Sequence, residues 1–194
     1  MVTRLIRKII LEQTIESFEE LCLKKARQVI AETNLKKVSP GIYVFPEFKI
    51  HSPIKELLVL IHPYHEEYEQ NQNYIAQREK AVESAKSILI GTNVGWSRET
   101  IKEIINKKKL EDRTYIYFTA EKSPIPLEVW WGGLVEFIER LNPQKIILGG
   151  AELSYNYQGE LSKKHGCINS TYKQLETLNP VIDPNICFIR REKQ

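Results

Sequence analysis

The sequence predicts an α/β fold: three layers, α/β/α, around a mainly parallel sheet of about five strands, with an N-terminal helix and short strand added. Two observations carry this. Short uninterrupted apolar runs such as Leu57-Leu58-Val59-Leu60-Ile61 read as strands covered on both faces. Amphipathic stretches with helical spacing separate these runs, and the alternation is the mark of parallel strands joined by crossover helices.

The elements follow in order. A helix is expected up to about Leu35, with Ile15, Phe18, Cys22, Val29 and Ile30 on its apolar face. Ser39-Pro40-Gly41 marks a turn, and Ile42-Tyr43-Val44-Phe45 a short strand stopped by Pro46. Residues 1–55 thus form an appendage to an α/β domain spanning 56–194. Within that domain the first strand ends at Pro63. A polar helix follows, with Ile75, Val82 and Ala85 as its buried positions. Ser87-Ile88-Leu89-Ile90 is the second strand. Ser97 can cap the next helix, whose inner face is Ile101, Ile104 and Ile105. Tyr115-Ile116-Tyr117-Phe118 is the third strand. The helix after it is expected to start near Pro126, with a stripe of Leu127, Trp130, Trp131, Leu134, Ile138 and Leu141. Gly132 and Gly133 inside that helix suggest close approach of backbone to backbone. Ile146-Ile147-Leu148 is the fourth strand, a helix from Cys167 buries Ile168, Tyr172 and Leu175, and Ile186-Cys187-Phe188-Ile189 is the fifth strand.

Composition narrows the class. The chain has 194 residues, 27% of them charged, and a net charge of +3, too small to point to nucleic acid. No apolar stretch approaches the roughly 20 residues of a membrane span. Three cysteines and a basic N-terminus without a secretory core lead to an expectation of a cytoplasmic protein with reduced thiols. A broad apolar helix makes a homodimer the expected assembly.

In open parallel sheets ligands bind beyond the carboxyl ends of the strands. The segments to inspect are therefore His62-Pro63-Tyr64-His65-Glu66, Gly91-Thr92-Asn93, Thr119-Ala120-Glu121-Lys122 and Gly149-Gly150-Ala151-Glu152. The glycine pair either turns the chain closely past the sheet or leaves room for a ligand. Cys167 opens a helix, where unpaired N–H groups and the helix dipole favour thiolate. His62, His65 and Glu66 offer imidazole and carboxylate to a metal, but their spacing matches no zinc-protease motif, and no metal site is assigned. No cofactor is expected, because neither a G-x-G-x-x-G turn nor a Walker lysine motif is present.

In order and placement, Leu57 to His62, Glu121-Lys122-Ser123-Pro124 and Gly166-Cys167-Ile168-Asn169-Ser170-Thr171 resemble the isochorismatase-like cysteine hydrolases, over roughly Glu56 to the C-terminus. The resemblance implies Cys167 as nucleophile, His62 in the place of the family's Asp as base, and Lys122 stabilising negative charge. It implies a small amide-like substrate. The stretch between Gly150 and Cys167 is longer than the family's loop, and a register without it would put a residue near Asn156 in the nucleophile position. The alternative is a non-enzymatic member of the same fold that binds a small ligand or another protein.

Overall fold

The computed structural model describes residues 18–50, 52–64, 71–107, 109–120, 123–156, 158–162 and 166–191. Among the described residues seven strands form one mixed sheet: β1 (Lys36–Ser39), β2 (Ile42–Val44), β3 (Leu57–Ile61), β4 (Ile88–Asn93), β5 (Thr114–Thr119), β6 (Ile146–Tyr155) and β7 (Val181–Arg191). The helices are α1, described over 18–32, α2 (Gln72–Ser84), α3 (Ser97–Asn106), α4 (Trp131–Leu141) and α5 (Cys167–Gln174), with a 3-10 turn at Glu176–Leu178.

The sheet order is β1-β2-β5-β4-β3-β6-β7. The five strands β3 to β7 are mutually parallel, whereas β2 pairs antiparallel with β5 and β1 with β2. The expected parallel core is therefore present, but the sheet is mixed and has seven strands. β1 escapes a reading by apolar runs because Lys36, Lys37 and Val38 face solvent. β2 continues the sheet beside β5, so the short N-terminal strand belongs to the sheet itself.

Side-chain alternation divides the core between the two faces of the sheet. Leu58, Leu60, Ile88, Ile90, Ile116 and Phe118 pack with Cys22, Ala26 and Val29 of α1, Val82 of α2, and Ile101 and Ile104 of α3. Leu57, Val59, Ile61, Leu89, Tyr115 and Tyr117 pack with Leu134, Phe137 and Ile138 of α4 and Ile168 of α5. Cys22 is the small core residue its stripe suggests. Phe18 and Ile105, placed on inner faces by their spacing, are 44% and 49% exposed, and Ile15 lies outside the described residues.

Three local departures have clear causes. α4 begins at Trp131, not near Pro126, because Pro126 bridges to Thr119 and the Leu127 N–H donates to the Phe118 carbonyl. Glu128 then takes a left-handed φ of 60°, with its carboxylate accepting from the Tyr43 hydroxyl at 2.6 Å. Gly132 and Gly133 consequently lie in the first turn of α4. A Cβ on either would meet the side chains of Trp130 and Val129 and not a neighbouring backbone, and Trp130 is left 73% exposed. Ser97 does not cap α3: its hydroxyl donates back to the Asn93 carbonyl at 2.7 Å.

Candidate functional site at the strand-order reversal

Counted along the chain, the parallel strands run third, second, first, fourth, fifth across the sheet, so their order reverses between β3 and β6. Helices that cross to opposite faces leave a crevice at such a point. Gly150 closes the contact there. Its φ is +109°, and a Cβ would lie 2.1 Å from the Ile61 carbonyl oxygen. A Cβ on Gly149 would strike the Ile186 side chain. The glycine pair therefore serves close packing of β6 against β3 and β7.

Directly after β3, His62 adopts a left-handed φ of 48°, which turns the chain off the sheet while its N–H still donates to the Gly91 carbonyl at 2.8 Å. The next carbonyl, that of Pro63, accepts from the Tyr74 hydroxyl at 3.1 Å and the Arg78 guanidinium at 2.6 Å. Arg78 is buried, with its guanidinium 4.4 Å from the Tyr64 ring centre and paired with Glu79 at 2.9 Å; Glu79 also pairs with Lys107. A buried guanidinium needs this set of acceptors to offset its lost hydration. The result fixes the His62 ring, 4% exposed, edge-on to Trp96, with Nε2 2.9 Å from the Thr119 hydroxyl at the end of β5. Imidazole can accept from or donate to a hydroxyl, so this pair can hold either tautomer. Asn93, at the end of β4, joins the neighbouring loops by accepting from the Gly95 N–H and donating to the Ala120 carbonyl.

On the other side of the reversal, α5 opens at Cys167 after Gly166, whose φ of +98° suits glycine. Asn169 anchors the helix start. Its side chain accepts from the Ser154 N–H at 3.0 Å and donates to the carbonyls of Ser154 and Ser162 at 2.7 and 2.9 Å. Cys167 is partly buried, and burial first, then the Glu152 carboxylate, push its thiol up to about 12. Desolvation and a nearby negative charge both disfavour thiolate. They outweigh the helix N-terminus, so the expectation of an acidic thiol is not met and the sulfur carries its proton at neutral pH.

Tyr117, on β5, reaches towards the start of α5 from the β3 side of the reversal. Its ring is fully buried and lies over Gly91, where a Cβ would be 2.4 Å from the phenol oxygen. Burial, and then Cys167, raise the pKa of the hydroxyl. Among the described residues that hydroxyl has no hydrogen-bond partner, as is also true of the Thr114 and Ser154 hydroxyls. An unsatisfied buried donor costs on the order of 1–3 kcal/mol.

Of the residues expected to act together, His62 follows β3 and Cys167 opens α5 as anticipated. Among the described residues no hydrogen bond joins the two: His62 is engaged by Thr119 and Trp96, and Cys167 lies near Tyr117 and Glu152. Lys122, His65 and Glu66 lie outside the described residues. Among the described residues no group of three His, Cys, Asp or Glu could hold a metal ion, and no helix is long and apolar enough to cross a membrane. Thr119 opens one of the segments the strand ends single out, whereas Tyr117 and Arg78 are not singled out by the sequence. Tyr117 lies in a strand that reads as core, and Arg78 resembles any charged residue on a polar helix. Comparison with protein-family models, curated proteins and solved structures gave no match.

Proposed function

We propose that the chain binds a small polar molecule at the carboxyl rim of a three-layer α/β sandwich, over the crevice between β3 and β6. In this reading a carbonyl or carboxylate oxygen of the ligand accepts from the Tyr117 hydroxyl beside Cys167, and the His62–Thr119 pair flanks it. The supporting observation is the buried Tyr117 hydroxyl without a partner, next to the start of α5 and close to the reversal of strand order. Such a hydroxyl gains its missing bond on binding, whereas a satisfied one only exchanges partners. Titration of isotopically labelled protein with small carboxylic acids and amides tests this reading. Amide resonances of His62, Gly91, Thr119, Cys167 and Ile168 should shift together, and shifts confined to other surfaces would overturn it.

A second reading, a cysteine-dependent hydrolase of the isochorismatase-like kind, draws on the order of parts: His62 directly follows β3, and Cys167 opens α5. There Cys167 would attack a small amide-like substrate, with His62 as base and Lys122 stabilising the developing charge. The high thiol pKa and the engagement of His62 by Thr119 rank this reading second. Rapid alkylation of Cys167 at pH 7, lost in Cys167→Ser, would reverse the ranking.

A further inference from the structure

A groove of about 1020 Å³ opens between the β1–β2 turn, the segment before α4 and α4 itself. It adjoins the rim, because its wall residue Pro126 bridges to Thr119 at the end of β5. Its apolar surface comes from Pro40, Ile125, Val129 and Trp130. The Trp130 indole is both seated and exposed. A Cβ on Gly132 would lie 2.8 Å from its ring carbons, yet 73% of the residue faces water. Glycine weakens a helix, so α4 gives up stability at its start to seat a ring that the core does not use. A fixed, exposed aromatic loses little freedom on binding and is the usual anchor of a recognition surface.

The walls are acidic. Glu19, Glu128, Glu136 and Glu139 line the groove. Glu128 is engaged by Tyr43, Lys37 and Arg27. Among the described residues Glu19, Glu136 and Glu139 make no ion pair, and the lining cation Arg140 donates to the Ser39 hydroxyl at 2.8 Å. Negative charge thus prevails in the groove of a chain whose net charge is +3, so the pull on a cation is local to this face. Gly133, Glu136 and Glu139 follow at intervals of three along α4. Both carboxylates therefore lie within about 9 Å of the indole's seat along the helix axis, a span that about three residues of extended chain cover. The volume exceeds that of most small-molecule sites. We propose that the groove docks an extended peptide segment of a partner protein, in which an apolar or aromatic residue lies within about three residues of a pair of cations. The apolar residue packs on Trp130 and Ile125, and the Lys or Arg side chains face Glu136 and Glu139.

Fluorescence anisotropy of the full chain with the dye-labelled, end-capped peptide Arg-Arg-Ser-Phe-Ser-Arg-Arg tests this; the peptide reads the same in both directions, so either orientation is sampled. The native chain should bind it. Binding should weaken about tenfold or more in Glu136→Gln/Glu139→Gln and, separately, in Trp130→Ala. All three side chains are exposed, so neither variant disturbs the core. Glutamate in place of every arginine of the peptide should abolish binding. No binding by the native chain, or equal binding by the native chain and either variant, would overturn the proposal. Dimerisation that Trp130→Ala abolishes, without peptide binding, would assign the face to a second copy instead. Peptide-induced shifts of the His62, Gly91 and Cys167 amides without shifts at Gly133, Glu136 and Glu139 would also overturn it, by placing the peptide at the rim; failure of the rim reading leaves the anisotropy result untouched.

Discussion

The two sides of the strand-order reversal are built in opposite ways. On the β3 side the Pro63 carbonyl is held by Tyr74 and Arg78, and His62 by Gly91 and Thr119. On the α5 side the backbone is held as firmly, through three hydrogen bonds of Asn169. Yet a buried phenol hydroxyl has no partner, and the thiol beside it is held protonated. A satisfied network rigidifies a site, while an unsatisfied donor in the same crevice is where a ligand gains most. In the proposed reading the β3 side is the scaffold, and the Tyr117 hydroxyl near the start of α5 is the recognition group.

Breaking the scaffold should have the largest effect. Gly150→Ala forces a side chain onto the Ile61 backbone at a φ that L-residues rarely adopt. It should cost more than about 3 kcal/mol in urea denaturation, as expected of combined overlap and backbone strain. Arg78→Met removes the guanidinium that the Pro63 carbonyl and Glu79 share, and should cost about 3 kcal/mol. It should also shift the ring resonances of His62, an effect that a purely global loss of stability would not produce.

The sharper test is a matched pair of conservative changes. Thr119→Val leaves His62 Nε2 without its hydroxyl and should destabilise by about 1 kcal/mol. Tyr117→Phe deletes a hydroxyl that bonds to nothing, and should be neutral or stabilising by up to about 1 kcal/mol. Equal losses from the two would erase the contrast between the sides.

The reactivity of Cys167 is a separate test of the same contrast. With its thiol pushed up to about 12, alkylation at pH 7 should be on the order of a thousandfold slower than for an ordinary cysteine, and should rise about tenfold per pH unit. The same shift has a sign for stability. A thiol whose pKa is raised by folding contributes fully below the ordinary cysteine range, and this contribution is lost as pH rises through that range towards the folded value. Alkaline unfolding should therefore be shallower in Cys167→Ser.

Much of this architecture was legible in the chain. Runs such as 57–61 and 146–148 mark buried strands because both faces are covered, and His62 and Cys167 could be assigned to the rim from position alone. β1 and the outer ends of β6 and β7 were not legible: β1 is mostly exposed, and β7 contains Pro184, which an edge strand tolerates. Cys167 shows the deeper limit. Sequence places it at a helix start, which favours thiolate; burial and Glu152, which decide its protonation, depend on residues brought together only by folding. Tyr117 is hidden in the same way, because its importance lies in a partner it lacks.

The most direct test of the account is the affinity of the best-binding small carboxylic acid or amide for Tyr117→Phe relative to the native chain. The account predicts a loss of about tenfold, the worth of one neutral hydrogen bond, with stability unchanged or improved. Equal affinity in the two proteins would contradict it.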